Sequence, residues 1–136
     1  MSFVWIDYSH IAKRLFDFRD RWRIKEACLR NVISRSYYCL INLAREYAAS
    51  FEKHKYLRKR TTDVHGVVIE IYEKADNAEA NALANLLRDF RDLRTTADYD
   101  KISSPPIDES VAEDALLWVQ HGTETINKLS LNGISF

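Results

Sequence analysis

Apolar residues recur every three or four positions along most of this chain, interrupted by short polar or charged stretches. Tyr8, Ile11, Ala12, Leu15 and Phe16 keep the spacing that lines one side of a helix, predicting a first helix from about Asp7 to Phe18. A basic connector, Arg19 to Arg23, leads into a longer series through Ile24, Ala27, Cys28, Tyr37, Leu40, Ile41, Ala44, Ala48 and Phe51. No Gly or Pro breaks it, so the second helix is expected to run for about 25 residues. After the charged stretch Lys53 to Arg60, Thr61 or Thr62 can cap a short third helix striped by Val64, Val67, Val68, Ile71 and Tyr72. Asp76 or Asn77 can cap a fourth, with Leu83, Leu86, Leu87, Phe90, Leu93 and Ala97 facing inward. The break Ser103-Ser104-Pro105-Pro106 precedes a fifth, capped by Asp108 and reaching about Leu129. The expected fold is all-α, a single up-down bundle of about five helices with short loops.

Composition agrees with that pattern. The 136 residues fit one domain, 46% are hydrophobic, and Gly and Pro together number five, which excludes a loop-rich or disordered chain. Cys28 and Cys39 lie on one predicted helix, roughly 16 Å apart along its axis, too far to pair with each other. No apolar run approaches the length of a membrane span and no signal-peptide pattern opens the chain, so a cytoplasmic protein without membrane contact is expected.

The net charge of zero hides a strong polarity. Residues 1–60 carry fourteen Lys/Arg against six Asp/Glu, and residues 61–136 carry six against fourteen. Such a division suits an RNA-facing surface on the first half, and it suits helix-to-helix ion pairing within one bundle equally well.

The most specific stretch is Arg94-Thr95-Thr96-Ala97-Asp98-Tyr99. It resembles the Arg-x-x-Ala-Asp-Tyr signature of one branch of the HEPN superfamily, small all-helical proteins that include RNA-cutting toxins and defence components. Other segments resemble the family in the same order: Trp5, Asp7, Tyr8 and Ala12; Glu26-Ala27, Arg30 and Ile33-Ser34-Arg35-Ser36-Tyr37-Tyr38, followed by Ala44-Arg45; His65-Gly66-Val67; and Arg91-Asp92-Leu93-Arg94. The resemblance therefore covers most of the chain. Tyr37 and Tyr38 point about 100° apart on a helix, so one can enter the core while the other stays at its edge.

This resemblance implies a HEPN-like protein of a prokaryotic toxin–antitoxin or defence module, acting on or binding RNA. It also implies a homodimer with a composite site, and as a further partner a nucleotidyltransferase-type antitoxin or another defence protein. HEPN nucleases cut RNA without a metal, and neither a metal nor a cofactor is expected here. Nuclease branches place a histidine four to six residues after the arginine, where this chain has Tyr99, Asp100 and Lys101. The candidate catalytic residues are accordingly Arg94 for phosphate charge, Asp98 to orient it, and Tyr99 as a hydroxyl in the histidine's place. An unperturbed tyrosine transfers protons poorly at neutral pH, so the chain reads as an endoribonuclease with a degenerate motif. Two alternatives stay open: a catalytically silent dimerisation or protein-interaction module, and a nucleotide-binding accessory domain.

Candidate RNA contacts are Arg91, Arg35 and Tyr38 around the signature, with Lys55, Arg58 and Arg60 from the basic run 53–60, in which Tyr56 supplies a stacking ring. Arg91, Arg94 and Asp98 share a helix face, which also fits a structural ion-pair network. Arg60 and His65 form an Arg-x4-His string in the wrong place, and His65 reads as a capping or packing residue. Glycine-rich phosphate loops, zinc-ligand spacings and nucleophile elbows are absent from the sequence.

Overall fold

The computed structural model describes residues 3–21, 24–100 and 106–136. Within them the chain forms five α-helices and no strand: α1 (Ile6–Asp17), α2 (Lys25–Ala49), α3 (Val64–Lys74), α4 (Ala78–Tyr99) and α5 (Glu109–Leu131). Short 3-10 helices cover Arg19–Arg21 and Glu52–Arg58. The end of the basic connector, Trp22 and Arg23, lies outside the described residues, as do Lys101 and the Ser103-Ser104-Pro105 break. Among the described residues no helix is long and apolar enough to cross a membrane.

The 25-residue α2 is the axis of the bundle, packing against α1, α3, α4 and α5. Apolar side chains occur nearly all round it: Val32, Ile33, Tyr37, Leu40, Ile41, Ala44 and Ala48 are all buried, as expected of a helix enclosed by neighbours. α5 closes on α2 at Gly122, where an added Cβ would lie 2.5 Å from both methyl carbons of Leu40. On α4, Leu83, Leu87, Phe90 and Ala97 enter the core and Leu86 and Leu93 flank it, which matches the predicted face. The hydroxyl of Tyr72, fully buried on α3, donates to the Ala44 carbonyl at 2.8 Å, so this polar tip is satisfied inside the core.

The caps of α4 and α5 are as the sequence suggested. The side chain of Asn77 accepts from the Ala80 amide at 2.9 Å, and that of Asp108 from the Val111 amide at 3.0 Å.

Other expectations need correction. Ile11 is 45% exposed and Ile24 65% exposed, and Ala27 also faces solvent. Among the described residues α1 packs mainly against α2, with α5 and the turn after it, so its buried stripe centres on Ala12 and is narrower than the periodicity suggests. The third helix is not capped by a threonine: Asp63 holds its N-cap position in the left-handed region at φ 48° without a side-chain cap bond. The charged stretch before it is a 3-10 helix pinned by the buried Leu57. Arg45 reaches from α2 to donate to the Leu57 carbonyl at 2.5 and 2.8 Å and to the Arg60 carbonyl at 2.9 Å.

Candidate functional site

Three segments far apart in the chain meet beside the middle of α2: residues 34–38 of α2, the first turn of α3, and the last two turns of α4. The guanidinium of Arg94 lies 5.1 Å from the ring centre of Tyr37 and 5.4 Å from that of Tyr38. Both positions lie within the reach of a cation–π interaction. Asp98, one turn later, sits 3.6 Å from Arg94, and Ser34 donates to the same carboxylate at 3.4 Å. The Arg94 side chain is only 11% exposed, against 26% for Asp98. Its Nε is buried with no hydrogen-bond partner among the described residues. Such a donor costs about 1–3 kcal/mol, a cost that packed interiors normally avoid.

Tyr37 and Tyr38 divide as expected, the first fully buried and the second at the margin of the core. Tyr37 also packs edge-on against Phe90, with ring centres 5.7 Å apart, so the site and the core share a side chain. Its hydroxyl lies 3.0 Å from Nδ1 of His65. Burial pushes the Tyr37 phenol up to about 12, with Arg91 and Arg94 pulling weakly the other way. His65 is pushed down to about 4, chiefly by burial and then by the charges of Arg91, Arg94 and Arg45, against a small opposing effect of Asp63. At neutral pH this ring is therefore uncharged. With Tyr37 donating to Nδ1, its hydrogen resides on Nε2.

The C-terminal end of α4, which carries the signature, is held by Arg30 of α2. Its Nη1 donates to the carbonyls of Thr96, Ala97 and Asp100 at 3.2, 2.9 and 2.6 Å. The Thr96 carbonyl also accepts from the Asp100 amide at 3.0 Å, whereas those of Ala97 and Asp100 lie where a helix end leaves carbonyls without intrahelical partners, and a cation there interacts favourably with the helix dipole.

Of the residues singled out in the sequence, Arg94, Asp98 and Tyr38 come together. Arg91 stands beside them and faces Asp63 at 3.6 Å rather than Asp98. Arg35 lies close by, its guanidinium 5.0 Å from the ring centre of Tyr8 on α1. Tyr99 stands apart, 72% exposed at the end of α4. The basic run also lies elsewhere. Lys55 pairs with Glu52, Arg60 donates to the Thr62 carbonyl at 2.7 Å, and Arg58 lines a separate cavity with Trp5 and Arg45.

His65, read from the sequence as a capping or packing residue rather than a partner of Arg60, packs against Tyr37 and Tyr38. Pairing it with Arg60 looks along the chain, whereas the fold sets it against Tyr37, 28 residues earlier. The only signal for this was that His65 and the Tyr pair both lie in segments carrying the family resemblance.

Compared with known proteins, the chain matches no family model, no curated protein and no solved structure.

Proposed function

We propose that this protein is a HEPN-like component of a prokaryotic toxin–antitoxin or defence module, and that it acts on RNA at the face formed by α2, α3 and α4. One observation carries the reading. Three of the segments that resemble the family, with members up to 61 residues apart in the chain, converge on a single cluster of Arg94, Asp98, Tyr37, Tyr38 and His65. Packing alone has no need to gather two arginines, a carboxylate and a neutral imidazole around a tyrosine pair.

The chemistry available there is phosphate recognition and proton transfer. Arg94 and Arg91 supply positive charge where a phosphate gains negative charge on passing to a five-coordinate state. In metal-independent cleavage the ribose 2′-oxygen attacks phosphorus, its proton passes to a base, and the departing 5′-oxygen takes up a proton. A neutral His65 accepts the first of these only once the Tyr37 hydroxyl turns away from Nδ1, the one ring nitrogen able to take a proton and the one it occupies here. The reading also implies a homodimer that brings two such faces together, and a nucleotidyltransferase-type antitoxin or another defence protein as partner.

A second reading has its own observation. Arg94 is 11% exposed and lodged on two rings, which suits a pillar of a catalytically silent interaction module. Incubating single-stranded RNA with the purified protein in EDTA, beside Arg94→Ala and Tyr99→His, separates the two. Slow cleavage that disappears in Arg94→Ala is expected, with a gain in Tyr99→His. Intact RNA in all three reactions, together with RNA binding that is the same in wild type and Arg94→Ala, removes the proposal.

A further inference from the structure

Beside the Arg94 cluster lies a cavity of about 430 Å3 between α1 and α2, lined by Trp5, Tyr8, Asn31, Ser34, Arg35 and Tyr38. We infer that this cavity is a nucleobase pocket for a single-stranded RNA, seating the base next to the phosphate that meets Arg94. The inference rests on the proposed RNA-acting role of that cluster and specifies which part of the strand is gripped beside it.

Three features carry it. The first is an aromatic wall built outside the main core. Trp5 and Tyr8 pack edge-on with ring centres 5.5 Å apart, and Phe3 braces both at 5.0 and 5.2 Å while itself remaining exposed. Arg35 lies against the Tyr8 ring from α2, so the wall combines π-faces with a guanidinium. Stacked rings and arginine planes are the usual means by which proteins hold unpaired bases. The second feature is polar groups at the rim. Asn31 spends its amide hydrogen on the Ala27 carbonyl, which leaves its side-chain oxygen to accept from a base edge. Ser34 offers its hydroxyl oxygen as a further acceptor, the hydrogen being directed to Asp98.

The third feature is continuity with the cluster. Tyr38 lines the cavity and also lies under Arg94, while Ser34 lines it and bonds Asp98. Asp98 is the one carboxylate of the cluster on this side, and its charge is met by Arg94. A base seated here therefore has its own phosphate directed towards cationic groups. The volume falls within the roughly 300–1,000 Å3 of small-molecule sites.

A strand fits better than a free nucleotide because Trp5 has a second cavity on its other side. That cavity, also about 430 Å3, is lined by Asn42, Arg45, Glu46, Ala49 and Arg58 as well as Trp5. Trp5 thus lines both a base-sized aromatic space and a polar one in which two arginines outnumber one carboxylate, and a chain passing it meets both.

Fluorescence-anisotropy titration of the full chain tests this, using a short single-stranded oligoribonucleotide and versions with each base removed in turn. One abasic position should weaken wild-type binding by about 5- to 150-fold, the range for a single stacked base. Trp5→Ala should weaken the intact oligomer by a similar factor and be indifferent to that same abasic position. The abasic series on wild type needs no variant and so stands even if Trp5→Ala folds poorly. A flat abasic series with Arg94→Ala still weakening binding refutes the pocket and leaves the RNA-acting face standing. No binding by wild type refutes both. A nucleoside monophosphate that displaces the oligomer at equal concentration refutes the assignment to a strand.

Discussion

Lowering the pH from 7 to 5 tests the electrostatics of the cluster most directly, because His65 is held uncharged there. Its ring faces Tyr37 and Arg45 of α2, Arg91 and Arg94 of α4, and Asp63 at the start of α3. The folded value of about 4 lies below the ordinary 6.5, so the unfolded chain takes up the proton first. Stability is therefore fully present above about pH 6.5 and is lost as the pH falls from there towards 4. Integrating the two titrations from pH 7 to 5 gives about 1.8 kcal/mol, which solvent access to the half-buried ring reduces to about 1 kcal/mol. His54, also pushed down by burial and by Lys53, acts with the same sign and must be subtracted. Urea unfolding of wild type and His65→Gln at pH 7, 6 and 5 makes that subtraction, since the variant keeps His54. Wild type should lose about 1 kcal/mol more than His65→Gln over this range, with equal urea slopes. Parallel losses in the two proteins would show that His65 is no less basic in the fold than in the open chain, and the neutral base in the proposed chemistry would fall with it.

Two further outcomes concern stability. Phe90→Ala removes a fully buried ring packed against Tyr37 and Trp118, and should cost about 3–5 kcal/mol in urea melts, with the Tyr37 environment disturbed in near-UV circular dichroism. Arg30→Met keeps the length of the side chain but removes the Arg30 donor from the Ala97 and Asp100 carbonyls and leaves Thr96 with the Asp100 amide alone. It should cost about 1–3 kcal/mol and speed amide exchange at the end of α4 before any other helix.

Much of the fold was legible because helices announce themselves locally. The period of apolar residues located all five, and the caps Asn77 and Asp108 were readable because a cap acts on amides two or three residues away. What stayed hidden depends on distant partners. The 3-10 helix at 52–58 carries one buried apolar residue, Leu57, and is fixed by Arg45 from another helix, so its own sequence looked like a solvated basic loop. Ile11 and Ile24 fit the periodicity, yet no helix covers them. In the site, the i, i+4 pair Arg94–Asp98 could be anticipated from helix geometry. The placement of His65 against Tyr37, and of Trp5 and Tyr8 beside Tyr38, follows only from how α1 and α3 dock on α2.

Ser34, Arg35, Tyr37, Tyr38, His65, Arg91, Arg94 and Asp98 all project from α-helices, and Tyr37 is shared with the core. Binding sites more often hang on loops, which can lengthen or change without disturbing the scaffold. A site borne on packed helices is held more rigidly and has less freedom to drift. Insertions cannot enter it without shifting the register of a core helix, so new ligand preferences must arise by exchange of single side chains. Homologues that diverge in what they bind should therefore keep the lengths of α2 and α4 and differ at positions such as 31, 35 and 38.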